Sequence, residues 1–321
     1  MTFQKTVGAP HIIGVGAANI DLHGQSRQCI VLRDSNPGFL HTSAGGVTRN
    51  IIENLARQGC RTTLLSAIGD DANGDKIRRD SERAGIDMSH LLVREGWSSS
   101  SYLAIMDETG DMFLGMSDMR ILETLPVSYL TEKADLLQNA TAIVCDGALS
   151  HPVFERLFSL AEGHAPVFID PVSTAYTRNM LPFTGRFYGI KPNQLELSVL
   201  SNLPTDSDLE IERAAEAVLN KGVFCLAVSL GARGCYYADA NGTRLFRSLP
   251  PVAHMVNATG AGDAFMAGFV HGYARSFCVE EQLDYAMASG LIAIHSESTI
   301  HPAMSDALIR SVLAGELPPT A

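Results

Sequence analysis

The sequence predicts a three-layer α/β domain with a mainly parallel central sheet. Three observations carry this: short apolar runs recur along the chain, helix-like stretches separate them, and only two segments break the alternation. Residues 11–16 (HIIGVG) form the first run, and 62–68, 142–146, 167–170, 186–190 and 223–229 follow. Runs apolar at nearly every position suit strands buried on both faces, as parallel sheets are. Between them, Val47, Ile51 and Leu55 fall at i, i+4 and i+8, one stripe of a helix packed on a sheet, with Asn50 off the stripe.

The breaks lie at residues 18–43 and 98–118, which are poor in helix signals. They contain β-like pieces at 29–32, 39–42, 101–106 and 112–115, the last two joined by the turn 108–111 (ETGD). Together they are expected to form a small β sheet covering a site, with plain edge hairpins as the alternative. Residues 1–321 are otherwise read as one domain, without internal repeats or a linker.

Composition narrows the function classes. The chain has 321 residues, 46% hydrophobic and 18% charged, enough to bury a sizeable core. A formal net charge of −11, without a basic patch, excludes nucleic acid and acidic membrane as expected partners. The six cysteines show neither a C-x-x-C pair nor metal-ligand spacing, so they read as reduced packing residues in the cytoplasm. Neither a secretory signal nor a run of 18 apolar residues occurs.

The most informative segment is 257–268 (NATGAGDAFMAG). The N–H groups of Gly260, Ala261 and Gly262 at a helix start would form an anion-binding concavity, to which phosphate is suited. Asp263 would repel that anion, but it makes sense if it faces a neutral hydroxyl that must lose its proton. A helix N-terminus with packing glycines and a first-turn acid is the alternative. Gly45 and Gly46, opening the first helix, permit close approach of a ligand to backbone, and Asn50 offers donor and acceptor to a sugar diol. Asn19 and Asp21 stand beyond the carboxyl end of the first strand, where ligands gather in open α/β sheets, or else cap a turn. In 191–196 (KPNQLE), Asn193 and Glu196 fit a capping box, or a place near Mg²⁺ and its waters with Lys191 beside them. Ser229, Gly231 and Gly234 lie at a glycine turn that either holds nucleotide phosphates or closes a hairpin. A dinucleotide fingerprint after Gly14 fails, because Asn19 stands where the third glycine belongs.

In this order the segments resemble the ribokinase-like (phosphofructokinase B type) family of carbohydrate kinases over nearly the whole chain. The resemblance implies Asp263 as general base, the backbone of 260–262 as anion hole, and Asn19, Asp21, Gly45, Gly46 and Asn50 as substrate ligands. It implies ATP held by Lys191, Asn193, Glu196, Ser229, Gly231, Gly234 and Thr259, Mg²⁺ held through water by Asn193 and Glu196, and the two β-like segments as a lid joining a homodimer. Within the family, the strings at 18–21, 34–38, 45–50, 100–103, 107–111, 170–173 and 257–268 resemble the branch that phosphorylates the 5′-hydroxyl of pseudouridine. Ribokinase, fructokinase or another nucleoside kinase is the alternative. Ser35, Asn36, Ser100, Tyr102 and Asp118 are expected, from position, to contact the substrate. Asn257 replaces the Asp that ribokinases carry beside a monovalent-cation site, and a neutral amide binds a cation less strongly, which leaves a K⁺ requirement open.

Overall fold

The structure is a computed structural model and describes residues 9–248 and 255–321. In chain order its strands are β1 (His11–Val15), β2 (Asn19–Ser26), β3 (Gly38–Gly45), β4 (Arg61–Leu65), β5 (Ala67–Gly69), β6 (Leu92–Arg94), β7 (Ser101–Met106), β8 (Met112–Asp118), β9 (Ala142–Asp146), β10 (Val167–Asp170), β11 (Gly189–Ile190), β12 (Cys225–Ser229), β13 (Cys235–Asp239) and β14 (Arg244–Arg247). The helices are α1 (Val47–Arg57), α2 (Ala72–Arg83), α3 (Val127–Glu132), α4 (Ala134–Gln138), α5 (His151–Ala161), α6 (Thr174–Met180), α7 (Gln194–Ser201), α8 (Asp208–Leu219), α9 (Ala261–Arg275), α10 (Val279–Ala293) and α11 (Asp306–Leu313).

The main sheet runs β14-β13-β12-β11-β10-β9-β1-β4. Every pairing from β12 to β4 is parallel, and β13 and β14 add an antiparallel edge. Side chains of β1 alternate between two cores: Ile13 and Val15 join Phe154 and Leu157 of α5 and Ile211 of α8, while Ile12 joins Ile51 and Leu55 of α1 and Phe269 of α9. Helices thus cover both faces. Each fully buried Leu, Ile or Phe on these faces contributes about 1.5–3 kcal/mol.

The two irregular segments build a separate four-stranded sheet, β3-β2-β7-β8. Its central pairing, β2 with β7, is parallel and unites the two segments, which are distant in sequence. The expected strand at 62–68 divides instead. β4 belongs to the main sheet, whereas β5 leaves it to pair with β6. Residues 186–190 supply only the two-residue β11, preceded by a 3₁₀ turn, and 29–32 form no strand.

Candidate active site

The carboxyl ends of β1, β9, β10, β11 and β12 point toward the first turns of α1, α7 and α9, the usual ligand crevice of an open parallel sheet. Asp263 is the third residue of α9. Its helix starts at Gly260, whose φ of 82° is left-handed, and a Cβ there would stand 2.0 Å from the Thr299 carbonyl oxygen. Glycine is required on both counts. Ala261 donates its N–H back to the Ala258 carbonyl at 3.3 Å. Of the three expected amides, one is therefore used by the turn, and those of Gly260 and Gly262 make no hydrogen bond among the described residues.

Beside them lies the buried Lys191. Its Nζ is 2.8 Å from Asp170 Oδ2 and 3.0 Å from where a Cβ of residue 262 would stand, so Gly262 leaves the ammonium room at the helix start. Burial pulls the Lys191 pKa down, but Asp170, Glu196 and Asp263 outweigh it and the net shift is upward. The lysine is charged at any working pH.

Asp263 accepts a hydrogen bond from Asn50 Nδ2 at 2.9 Å, which joins the starts of α9 and α1. Burial and then the Asp170 charge push its carboxyl up to about 7, against the Asn50 hydrogen bond and Lys191, with Asp21 adding to the rise. A carboxylate so placed is a base that titrates near neutrality.

At the start of β2, Asn19 Nδ2 donates to Asp21 Oδ1 at 2.6 Å, and the Asp21 charge is felt at Asp263. A Cβ on residue 45 would lie 2.1 Å from the Asp21 carboxylate, so Gly45 faces it directly. Gly46 has φ 101° and caps α1 tight against the Ala17 carbonyl. Burial raises the Asp21 carboxyl, with Asn19, His23 and Arg49 opposing.

Three residues that sequence reasoning missed hold this arrangement. Arg49, buried, pairs with Glu53 and donates to the Ala44 carbonyl (3.0 Å), Asn50 Oδ1 (3.2 Å) and Ser81 Oγ (3.1 Å). Its signal in the sequence was the Arg–Glu pair at i, i+4. Asp146, closing β9, accepts from the Ala17 N–H and the Thr48 hydroxyl, both at 2.7 Å. Asp170, closing β10, is the partner of Lys191. Both stand at strand ends, where an acid after an apolar run is a readable sign.

The remaining expected residues divide. Asn193 and Glu196 form the capping box: Asn193 Oδ1 accepts from the Glu196 N–H, and the Glu196 carboxylate from the Asn193 N–H. Burial and then Asp170 raise the Glu196 carboxyl, with Lys191 opposing. The Glu196 carboxyl thus lies near the Asp170–Lys191 pair. Ser229 reaches Asn193 through a backbone bridge. Gly231 (φ 59°) and Gly234 (φ 90°) turn β12 into β13 as a hairpin. Thr259 is exposed, its N–H bonded to Asn257 Oδ1, while Asn257 Nδ2 donates to the Glu297 carbonyl. Tyr102 stands opposite Asp21 in the small sheet, and the buried Ser100 accepts from the Ile20 N–H through its carbonyl.

Asp118, Ser35 and Asn36 are not brought to the crevice. Asp118 pairs with Ser101 on the face opposite Asp21 and binds Arg120, because strand alternation inverts a face at each residue. Ser35 and Asn36 lie in the exposed 27–37 loop, where the Asn36 amide is used by the Val31 backbone.

The model of the pfkB family of carbohydrate kinases matches residues 9–306. The chain belongs to the pfkB family of carbohydrate kinases. This pfkB kinase is 32% identical over 303 residues to pseudouridine kinase of Escherichia coli (strain K12), covering 94% of this chain and 96% of that one. It matches a crystal structure of a candidate sugar kinase from Clostridium perfringens with TM-score 0.84 and 31% identity, over 95% and 96% of the two chains. Arabidopsis thaliana ribokinase, solved with ribose and ATP, shares the fold at TM-score 0.82 and 21% identity, over 96% and 98%. Among the described residues no helix is long and apolar enough to cross a membrane.

Proposed function

We propose that this pfkB kinase transfers the γ-phosphoryl group of ATP to the 5′-hydroxyl of a nucleoside, pseudouridine, giving pseudouridine 5′-phosphate and ADP. The observation that carries the reading is the Asn50–Asp263 hydrogen bond. It holds a carboxylate between an acceptor side, Asn19 and Asp21, and an anion side, Lys191 with the amides of Gly260 and Gly262. Asp263 takes the proton of the hydroxyl as its oxygen attacks phosphorus, and Lys191 and the amides meet the charge on the phosphoryl oxygens. The small sheet acts as a lid that keeps water from competing.

Among the described residues no three His, Cys, Asp or Glu side chains are grouped to hold a metal. Asn193 and Glu196 would hold Mg²⁺ through its waters, and the ion would supply charge neutralisation between the phosphates. Pseudouridine is favoured over other acceptors by the likeness to the E. coli pseudouridine kinase along nearly the whole chain. ATP as donor draws on the ribokinase fold-relative solved with it. Among the described residues all six cysteines are free thiols, which suits the cytoplasm.

The outward face of the lid carries Leu40, Leu114 and Met116, exposed at 85%, 48% and 62%. We assign this face to a second copy of the chain. The activity test is ADP release with pseudouridine, uridine, inosine, ribose and fructose as acceptors. Highest kcat/KM with pseudouridine is expected, and preference for a free sugar overturns the nucleoside reading.

A further inference from the structure

Building on the nucleoside reading above, we infer that His23 and His41, on the inner face of the lid, read the base of the acceptor. The two are cross-strand partners on β2 and β3. Because alternate residues of a strand share a face, His23 lies on the side of Asn19 and Asp21, and His41 on the side of Ser43 and Gly45. That face is turned to the acceptor, since it carries the Asp21 carboxylate that Gly45 makes room for.

Across the four strands, Asp21, Ser43, Tyr102 and Ser117 form one row. The next row outward is His23, His41, Ala104 and Gly115, and the Tyr102 side chain reaches over the Gly115 end of it, its hydroxyl 2.9 Å from where a Cβ of residue 115 would stand. Two neighbouring polar groups are already occupied: the Gln25 amide donates to the Asp107 carbonyl, and the Tyr102 hydroxyl to Met112 Sδ. Neither imidazole makes a hydrogen bond within the described residues. His23 is half-buried nonetheless. Two residues along a strand span about 7 Å, roughly the reach from a ribose held at Asp21 to the pyrimidine it carries.

A neutral imidazole offers one donor and one acceptor, and a uracil edge alternates N–H and C=O in the same way. Pseudouridine is joined through carbon, so its ring presents an extra N–H where uridine presents a C–H. An acceptor nitrogen of His23 or His41 at that point bonds the first and is left unpaired by the second.

The test compares His23→Ala, His41→Ala and the hydrogen-bonding variants His23→Gln and His41→Gln, with kcat/KM for pseudouridine, uridine and ribose and KM for ATP. At least one Ala variant is expected to lower kcat/KM for pseudouridine about 10–100-fold, more than for uridine and far more than for ribose, with partial recovery in its Gln counterpart. Equal losses on all three acceptors, or an unchanged pseudouridine to uridine ratio in every variant, overturn the base-reading role while leaving the nucleoside kinase intact. A wild-type enzyme that phosphorylates sugars but no nucleoside instead overturns the reading beneath it, and this assignment with it.

Discussion

The carboxyl of Asp263 is pushed up to about 7 because burial and Asp170 outweigh Asn50 and Lys191. As a base it must be ionised, so kcat/KM should rise with pH through about 7 and level off above it. A flat profile between pH 5 and 9 contradicts the base role. The same shift bears on stability. A folded-state pKa above the ordinary 3.8 favours the protonated folded form, so this contribution is fully present below about 4 and lost as pH rises through about 7. Asp263→Asn should therefore be more stable than wild type at pH 8, by on the order of 1–2 kcal/mol, and no more stable at pH 4; melting at both pH values measures it. Asp263 was legible because an acid after a run of small residues at a helix start is chemically odd. Asp170 and Arg49 were not, since their roles rest on neighbours that sequence spacing does not reveal.

Helix α1 shows why periodicity told only half. The stripe Val47, Ile51 and Leu55 marked its sheet-facing side, yet Arg49, Asn50, Glu53 and Asn54 are buried too. Both faces are covered, because α9 packs on α1 and Arg49 reaches Ser81 of α2. Polar residues there must find partners, and Arg49 satisfies Glu53, Asn50 and the Ala44 carbonyl at the end of β3 at once. Arg49→Met leaves Glu53 dependent on Arg57 alone and should cost about 3 kcal/mol in urea unfolding, with KM for the acceptor rising as Asn50 loses its support. A cost below about 1 kcal/mol contradicts a structural role for the buried pair. The capping box of α7 was fully legible, being local to four residues. The break of 62–68 at Ser66 was not, because it depends on β6, over twenty residues on.

At the scale of the molecule, alternation of strand and helix foretold the layers, and the two exceptions to it foretold the small sheet. Strand order and the parallel β2–β7 pairing were beyond reach, as both are set by contacts between distant segments. The apolar outer face of that sheet leads to a prediction: Leu40→Asp with Leu114→Asp should convert a dimer to a monomer in sedimentation, and a monomeric wild type contradicts the assignment of that face.

In the proposed reaction the carboxylate gripped by Asn50 takes the proton of the acceptor. Single-turnover phosphorylation by Asp263→Asn, at saturating ATP and Mg²⁺, tests it most directly. The expected result is a fall of about 10²–10⁴-fold in rate with ATP affinity kept; turnover at the wild-type rate would contradict it.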